Sequence, residues 1–131
     1  MEVYKGEWSE GVTHGFGVLR EEEQIYEGQF SQGELSGNGK LYSSARKKVR
    51  LVYDGEWKKS LCEGSGIEYE LNGNKYVGSF HQGRRCGFGE LFDGKGELVY
   101  SGEWKRNKQN GQGRWYWRRG KLREGKIRRR R

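Results

Sequence analysis

A chain of 131 residues, 31% hydrophobic and 34% charged with a formal charge of +8, has room for one domain or one continuous repeat array. No apolar run approaches the ~20 residues a membrane-spanning helix needs, and two cysteines are too few for a disulfide scaffold. Eighteen aromatics (5 Trp, 8 Tyr, 5 Phe) separate the chain from disordered sequences of similar polarity, and the lack of any proline removes a common strand breaker. The N-terminal MEVYKGEWSE has no apolar signal core and the C-terminus no prenylation box, so a cytoplasmic protein in a reducing compartment is expected.

The first segment with a clear pattern, beginning at Tyr4, returns along the chain. Aligning Tyr4, Tyr26, Tyr53, Tyr76 and Tyr100 brings YKGEWSEGVTHGFG, YEGQFSQGELSGNG, YDGEWKKSLCEGSG, YVGSFHQGRRCGFG and YSGEWKRNKQNGQG into register. The shared pattern is Y-x-G-x-[WF], six residues, then G-x-G, and the tyrosines are spaced by 22, 27, 23 and 24 residues. Of the 23 glycines, 15 fill three shared columns and three more (Gly11, Gly33, Gly83) sit midway, so one motif accounts for most of the glycine. One further period lands on Arg123, where REGKI keeps Gly125 but has Arg in place of Tyr and Ile in place of Trp, as an atypical terminal repeat would.

Within each repeat, Tyr, Gly and Trp or Phe at positions 1, 3 and 5 point to one face of a strand. Glycine between two aromatics leaves room for a ring to lie against the backbone. The G-x-G opens the return strand, where close approach or positive φ is needed. Two places after it stand Leu19, Leu41, Leu91 and Trp115, whereas repeat three has Ile67 and Tyr69 one step out of phase, which predicts a bulge. Repeat two is the longest, and its extra length is SSARKKVR (residues 43–50), a loop. Asn72-Gly73 and Asp93-Gly94 read as turns linking repeats. The fold class expected is all-β: an elongated single-sheet meander of about ten or more antiparallel strands, with no helix before residue 118. Residues 1–117 form the array and 118–131 a degenerate sixth half-repeat with a basic tail.

The pattern resembles the MORN repeat (membrane occupation and recognition nexus), in full from Tyr4 to Gly113 and in part at Gly125, and the chain resembles a small protein built of MORN repeats alone. The resemblance implies a non-catalytic scaffold or adaptor that docks an extended or helical partner segment along a groove of stacked rings. In this sequence the groove positions are Tyr26, Phe30, Tyr53, Trp57, Tyr76, Phe80, Tyr100 and Trp104, and the same rings would hold the repeats together. It also implies a setting in a cytoskeletal or ciliary assembly or at a membrane, and a homo-oligomer is compatible with it.

Residues able to carry chemistry are few. His14, Cys62, His81 and Cys86 match a zinc site in number, but no C-x-x-C or H-x-x-x-H spacing brings them together. Cys62 and Cys86 fall in adjacent columns that face opposite ways, so neither a disulfide nor a metal site is expected. His14 is expected to hydrogen-bond a turn or a neighbouring rung. The G-x-G pairs lack a G-K-[ST] ending and a following helix, which excludes a phosphate loop. Glu7, Glu56 and Glu103 recur at position 4 and read as solvent-facing charge. With no nucleophile beside a base, no enzyme activity and no cofactor are expected.

The charge lies at one end. Residues 114–131 carry ten basic groups against Glu124, whereas residues 1–113 carry 16 basic and 17 acidic groups. Arg118, Arg119, Lys121, Arg123 and Arg128, Arg129, Arg130 and Arg131, together with Arg46, Lys47, Lys48 and Arg50 in the long loop, are candidate anion-binding residues. They make peripheral binding to an anionic, phosphoinositide-containing membrane the alternative function. Nucleic-acid binding through the basic-aromatic C-terminus ranks third, because no base-reading motif is present.

Overall fold

The computed structural model describes residues 3–117 and 121–127. Eleven strands follow one another: β1 (Val3–Ser9), β2 (Val12–Arg20), β3 (Gln24–Ser31), β4 (Glu34–Ser43), β5 (Arg50–Lys58), β6 (Leu61–Tyr69), β7 (Lys75–His81), β8 (Arg84–Phe92), β9 (Leu98–Lys105), β10 (Lys108–Trp117) and β11 (Lys121–Ile127). They form one antiparallel sheet in chain order, so every strand pairs with its sequence neighbours. One short 3-10 turn, Ala45–Lys47, interrupts the long loop of repeat two, and no α-helix occurs among the described residues. The degenerate sixth repeat supplies β11, whose Gly125 pairs with Gly113.

The three glycine columns do two different things. The second glycine of each G-x-G and the glycine at position 3 pair across the sheet. They make one unbroken row from Gly6 through Gly17, Gly28, Gly39, Gly55, Gly66, Gly78, Gly89, Gly102 and Gly113 to Gly125. The tyrosine rings lie over this row: a Cβ at Gly66, Gly89 or Gly113 would fall onto Tyr53, Tyr76 or Tyr100. The first glycine of each G-x-G instead takes positive φ, from +66° at Gly87 to +101° at Gly37. It sits in a bulge common to all five hairpins, where one residue of the outgoing strand faces three of the return strand.

Position 4 has a structural duty at that bulge. Glu7 and Glu56 accept the backbone N–H of Phe16 (2.7 Å) and Ser65 (2.9 Å), and Gln29 accepts that of Asn38 (3.2 Å). The Glu103 carboxylate occupies the same place against Gly111. These side chains satisfy N–H groups that the bulge takes out of the ladder, so they are more than solvent-facing charge.

Two kinds of connection alternate. Within repeats the turns are Glu10-Gly11, Gln32-Gly33, Lys59-Ser60, Gln82-Gly83 and Arg106-Asn107, with every φ between +49° and +84°, the signature of type I′ hairpins. These tips stack: Gly33, Ser60, Gly83 and Asn107 each donate an N–H to the return strand of the preceding repeat, at Thr13, Leu35, Cys62 and Arg85, over 2.9–3.2 Å. Between repeats, Gly73 (φ +96°) closes the turn that follows Glu70, and Gly96 (φ +85°) closes the one that follows Asp93. Asp93 does start a turn, but the glycine with positive φ is Gly96 rather than Gly94.

Repeat three has no bulge beyond the one all repeats share. Ile67, Glu68 and Tyr69 stay in register with Val77, Tyr76 and Lys75. Glu68 therefore occupies the column that holds leucine in other repeats, facing Tyr53 on one side and Tyr76 on the other. A salt bridge makes that tolerable, where the sequence pattern suggested a slip in register.

Candidate functional site

One face of the sheet is lined by a file of rings. Tyr4, Tyr53 and Tyr76 each meet the position-5 ring of their own repeat and that of the next, edge to face, while Tyr26 meets Trp57 of the next repeat and Tyr100 meets Trp104 of its own. Tyr53 lies 5.1 Å from both Trp57 and Phe80, Tyr76 lies 5.2 Å from Phe80 and 4.9 Å from Trp104, and Tyr100 ends the file on Trp115 at 5.0 Å. T-shaped contacts of this kind are worth about 0.5–1.5 kcal/mol each beyond area burial. The polar ends are satisfied as well. Tyr4, Tyr53, Tyr76 and Tyr100 donate their hydroxyls to the position-4 carbonyls of their own repeats, over 2.8–3.0 Å. Trp57 and Trp104 donate Nε1–H to the carbonyls of Gly39 (2.9 Å) and Gly89 (3.1 Å) in the preceding rung.

Seven of the eight expected groove residues (Phe30, Tyr53, Trp57, Tyr76, Phe80, Tyr100, Trp104) are buried, with Tyr76 and Tyr100 at 0% exposure, and Tyr26 is half-buried. Glycine makes this possible in a single-layer sheet, because a ring lying flat over a glycine row is covered by backbone below and by neighbouring rings at its edges. The eight residues thus form a packed floor. Packed against it, half-exposed, are Leu19, Leu41, Cys62, Leu91 and Trp115.

Arg85 is the buried cation of this face, 7% exposed. Its Nε donates to Glu68 and its Nη2 to Glu70, each at 2.7 Å, and its guanidinium lies over the rings of Tyr76 (4.7 Å) and Trp104 (5.2 Å). A bidentate, ring-stacked arginine matches the fork geometry of guanidinium. No motif reading singled out this cluster, since its members come from different repeats; the only hint was a glutamate in a leucine column.

The cysteines part to opposite faces. Cys62 packs against the ring floor, where burial first, and then the Glu68 charge, pushes its thiol up to about 12. Cys86 lines a depression of about 450 Å³ on the other face with His81, Arg84, Lys105 and Arg106, and its thiol is raised by burial and by Glu63. Thiol-reactive reagents at neutral pH are therefore expected to label Cys86 first, with Cys62 slower by on the order of a hundredfold; mass spectrometry of partially labelled protein reads the order. Burial also pushes Tyr53 well up, and it raises Tyr76 to about 12 against the opposing pull of Arg85. The fold holds these phenols and the Cys62 thiol neutral, while the unfolded chain ionises them near their ordinary values. Their contribution is complete below the ordinary thiol range and is lost as pH climbs towards the folded values. The melting temperature should therefore fall at alkaline pH as tyrosinate absorbance appears in one cooperative step.

Of the histidines, His81 reaches a neighbouring rung: its Nδ1 lies 3.0 Å from Glu63, whose other oxygen accepts the N–H of Gln82 (3.0 Å). Those two bonds hold the Glu63 carboxyl below its usual range. His14, expected to make such a bond, is exposed and makes none among the described residues, because the turn of the next repeat there is held by the Thr13 carbonyl alone.

The candidate anion-binding residues do not form one cluster. Arg46, Lys47 and Lys48 are exposed at the loop tip, with Arg46 and Lys47 both at φ +57°. Arg50 belongs to β5, is half-buried, and donates from Nη1 to the Tyr69 carbonyl at 3.2 Å. Lys121 and Arg123 have their backbone in β11, six strands from β5, or roughly 29 Å at ~4.8 Å per strand. Arg118, Arg119 and Arg128 to Arg131 lie outside the described residues. A further basic row went unforeseen: Lys58, Lys59, Arg84, Lys105, Arg106 and Lys108 gather at the hairpin tips of repeats three to five. Sequence distance hid it, because the tips contribute one to three cations each in separate repeats.

Comparison with known proteins agrees with this architecture. The family model described as MORN repeat matches five times, at residues 4–20, 26–44, 53–70, 76–97 and 100–122. The chain is 33% identical over 96 residues to Alsin of Homo sapiens, covering 71% of this chain and 6% of that protein, with the same figures for Alsin of Rattus norvegicus. It is 36% identical over 95 residues to the human ALS2 C-terminal-like protein, covering 70% of this chain and 10% of that one. The chain thus spans a tenth or less of the length of these relatives.

Proposed function

The chain belongs to the MORN-repeat family, a repeat-based protein-interaction or membrane-association module, and on that premise we propose that it is a non-catalytic adaptor docking a partner protein segment along its ring-lined face. The observation that carries this reading is that face itself: a rigid aromatic floor, buried and hydrogen-bonded, with half-exposed apolar side chains packed against it. Preorganised rings offer contact area without an ordering cost at binding. Because the buried rings are committed to the fold, the docking contacts fall on the half-exposed Leu41, Leu91 and Trp115 beside them, and binding and stability separate experimentally. Affinity capture from the native cell should fail with Leu41→Glu and Leu91→Glu while both variants keep their β-sheet circular dichroism. It should survive Phe88→Glu, a change at a side chain 60% exposed on the opposite face. The reverse result would move the docking site to the Phe88 face.

A second reading is favoured by the exposed tip of the long loop. Arg46, Lys47 and Lys48 lie exposed in the loop between β4 and β5, their side chains in no hydrogen bond or ion pair among the described residues, as a docking tip for anionic lipid would. At about 1 kcal/mol per cation near an anionic surface, replacing all three by alanine should weaken co-sedimentation with phosphoinositide vesicles about a hundredfold. An unchanged affinity would remove the loop from this role and leave residues 118–131 as its remaining carrier. A cytoskeletal or ciliary setting is a further proposal that capture of the partner would decide.

A further inference from the structure

Repeat four treats its bulge differently from the other four repeats. At position 4 the five repeats carry Glu7, Gln29, Glu56, Ser79 and Glu103. Glu7, Gln29 and Glu56 reach across the bulge to the N–H groups of Phe16, Asn38 and Ser65, and Glu103 lies over Gly111 in the same place. Repeat four has the same bulge, between the pairs Gly78–Gly89 and Phe80–Arg85, but Ser79 is too short to span it. Its Oγ stands 3.8 Å from where a Cβ on Gly87 would be. Among the described residues no side chain accepts the Phe88 N–H that corresponds to those of Phe16, Asn38 and Ser65.

Beside this N–H the reverse face of the sheet is hollow. The cross-strand pairs Ser65–Ser79, Gly66–Gly78 and Ile67–Val77 floor a shallow depression of about 450 Å³, and Phe88, 60% exposed, walls it on the β8 side. The serine and glycine pairs have too little side chain to fill it, while Ile67, Val77 and Phe88 give it an apolar lining. The chain itself shows which group suits the bulge: carboxylates accept at 2.7 and 2.9 Å and the amide of Gln29 at 3.2 Å. Hydrogen bonds to an ionised acceptor are roughly twice as strong as neutral ones. The nearest like charges do not reverse that preference. Glu56 and Glu103 serve bulges two strands away on either side, roughly 10 Å at ~4.8 Å per strand. Asp54 lines the depression from β5, three strands from β8 and roughly 14 Å away. Both separations exceed the ~8 Å screening length of physiological salt.

We propose that repeat four carries a docking notch on the face opposite the rings, for a partner segment that bears an acidic side chain next to an apolar one. The partner's carboxylate accepts the Phe88 N–H, as Glu7 and Glu56 accept theirs, and its apolar neighbour covers Phe88 and the Ile67–Val77 pair. The notch is separate from the ring-lined face, and its binding does not depend on Leu41 or Leu91.

Nitrogen-15 NMR of the full chain tests this, with the capped dipeptide N-acetyl-leucyl-glutamyl amide as probe, its only charge the side-chain carboxylate. The Phe88 amide proton should move downfield and saturate, and the leucyl-glutaminyl counterpart should bind about tenfold more weakly. Ser79→Glu copies repeats one, three and five. It should move the Phe88 amide downfield without any probe and weaken the dipeptide at least tenfold. Should that variant unfold, Phe88→Ala carries the test, since it keeps the N–H but removes the apolar wall and should weaken the dipeptide severalfold. Leu41→Glu must leave the titration unchanged, which keeps the outcome distinct from that of the ring-face reading. A Phe88 amide that does not respond, equal affinity for the glutaminyl dipeptide, or undiminished binding to folded Ser79→Glu or Phe88→Ala would each overturn the proposal. So would loss of binding in Leu41→Glu, or a stronger response to inorganic phosphate, which would make the notch a phosphate site.

Discussion

Gly89→Ala is expected to lower stability by about 3 kcal/mol, the upper end of what overpacking costs, although it adds a single methyl group. The new Cβ would fall onto the ring of Tyr76, which is fully buried and cannot give way. Moving that ring breaks its edge contacts with Phe80 and Trp104 and its hydroxyl bond to the Ser79 carbonyl. The Gly89 carbonyl also holds the Trp104 indole. Gly33→Ala is the matched control: nothing lies within 4 Å of its added Cβ, and its φ of +83° is the source of strain. That change should cost about 1 kcal/mol. Urea unfolding of the two variants beside the parent gives the comparison, and equal losses would mean that the rings do not depend on the glycine row.

Arg85→Leu is expected to cost about 2–3 kcal/mol. Removing one partner of a fully buried ion pair costs about 3–5 kcal/mol, and the figure is reduced here because the Glu68 and Glu70 side chains remain 36% and 31% exposed. Without the guanidinium two carboxylates face each other over an aromatic floor. The double change Arg85→Leu with Glu68→Leu restores what other repeats place in these columns, Leu35 in one and Leu19, Leu41 and Leu91 in the other. It should recover most of the loss or exceed the parent, since apolar replacement of a buried ion pair is often stabilising. A double-mutant cycle in chemical denaturation measures the coupling, and additive losses would show that Arg85 acts through its ring contacts alone.

Most of the architecture was legible because each repeat states its own strand pairing. Positions 1, 3 and 5 share a face by strand geometry, and five copies in phase leave the chain-order meander as the simple way to bury them. Legibility stopped where one repeat's side chain depends on another's. Arg85 is one arginine among many until the fold sets it beside Glu68 and Glu70, and Ile67 and Tyr69 suggested a slip that this arginine makes unnecessary. The ring residues were recognisable as a surface, but their depth was not, since burial in a one-layer sheet depends on rings from adjacent rungs closing over one another. Glu7 and Glu56 read as solvent-facing charge, and only the shared bulge revealed the N–H groups they satisfy.

By itself the sequence determined the repeat, its period, the strand faces and the near-neutral array with a basic end, because all of these follow from local spacing and composition. The tertiary structure alone decided which glycines take positive φ and which lie beneath a ring, how the cations of separate hairpin tips form one row, and how deeply the rings are buried. Those outcomes depend on contacts between rungs some 22 to 27 residues apart in the chain, and a pattern read one repeat at a time does not contain them.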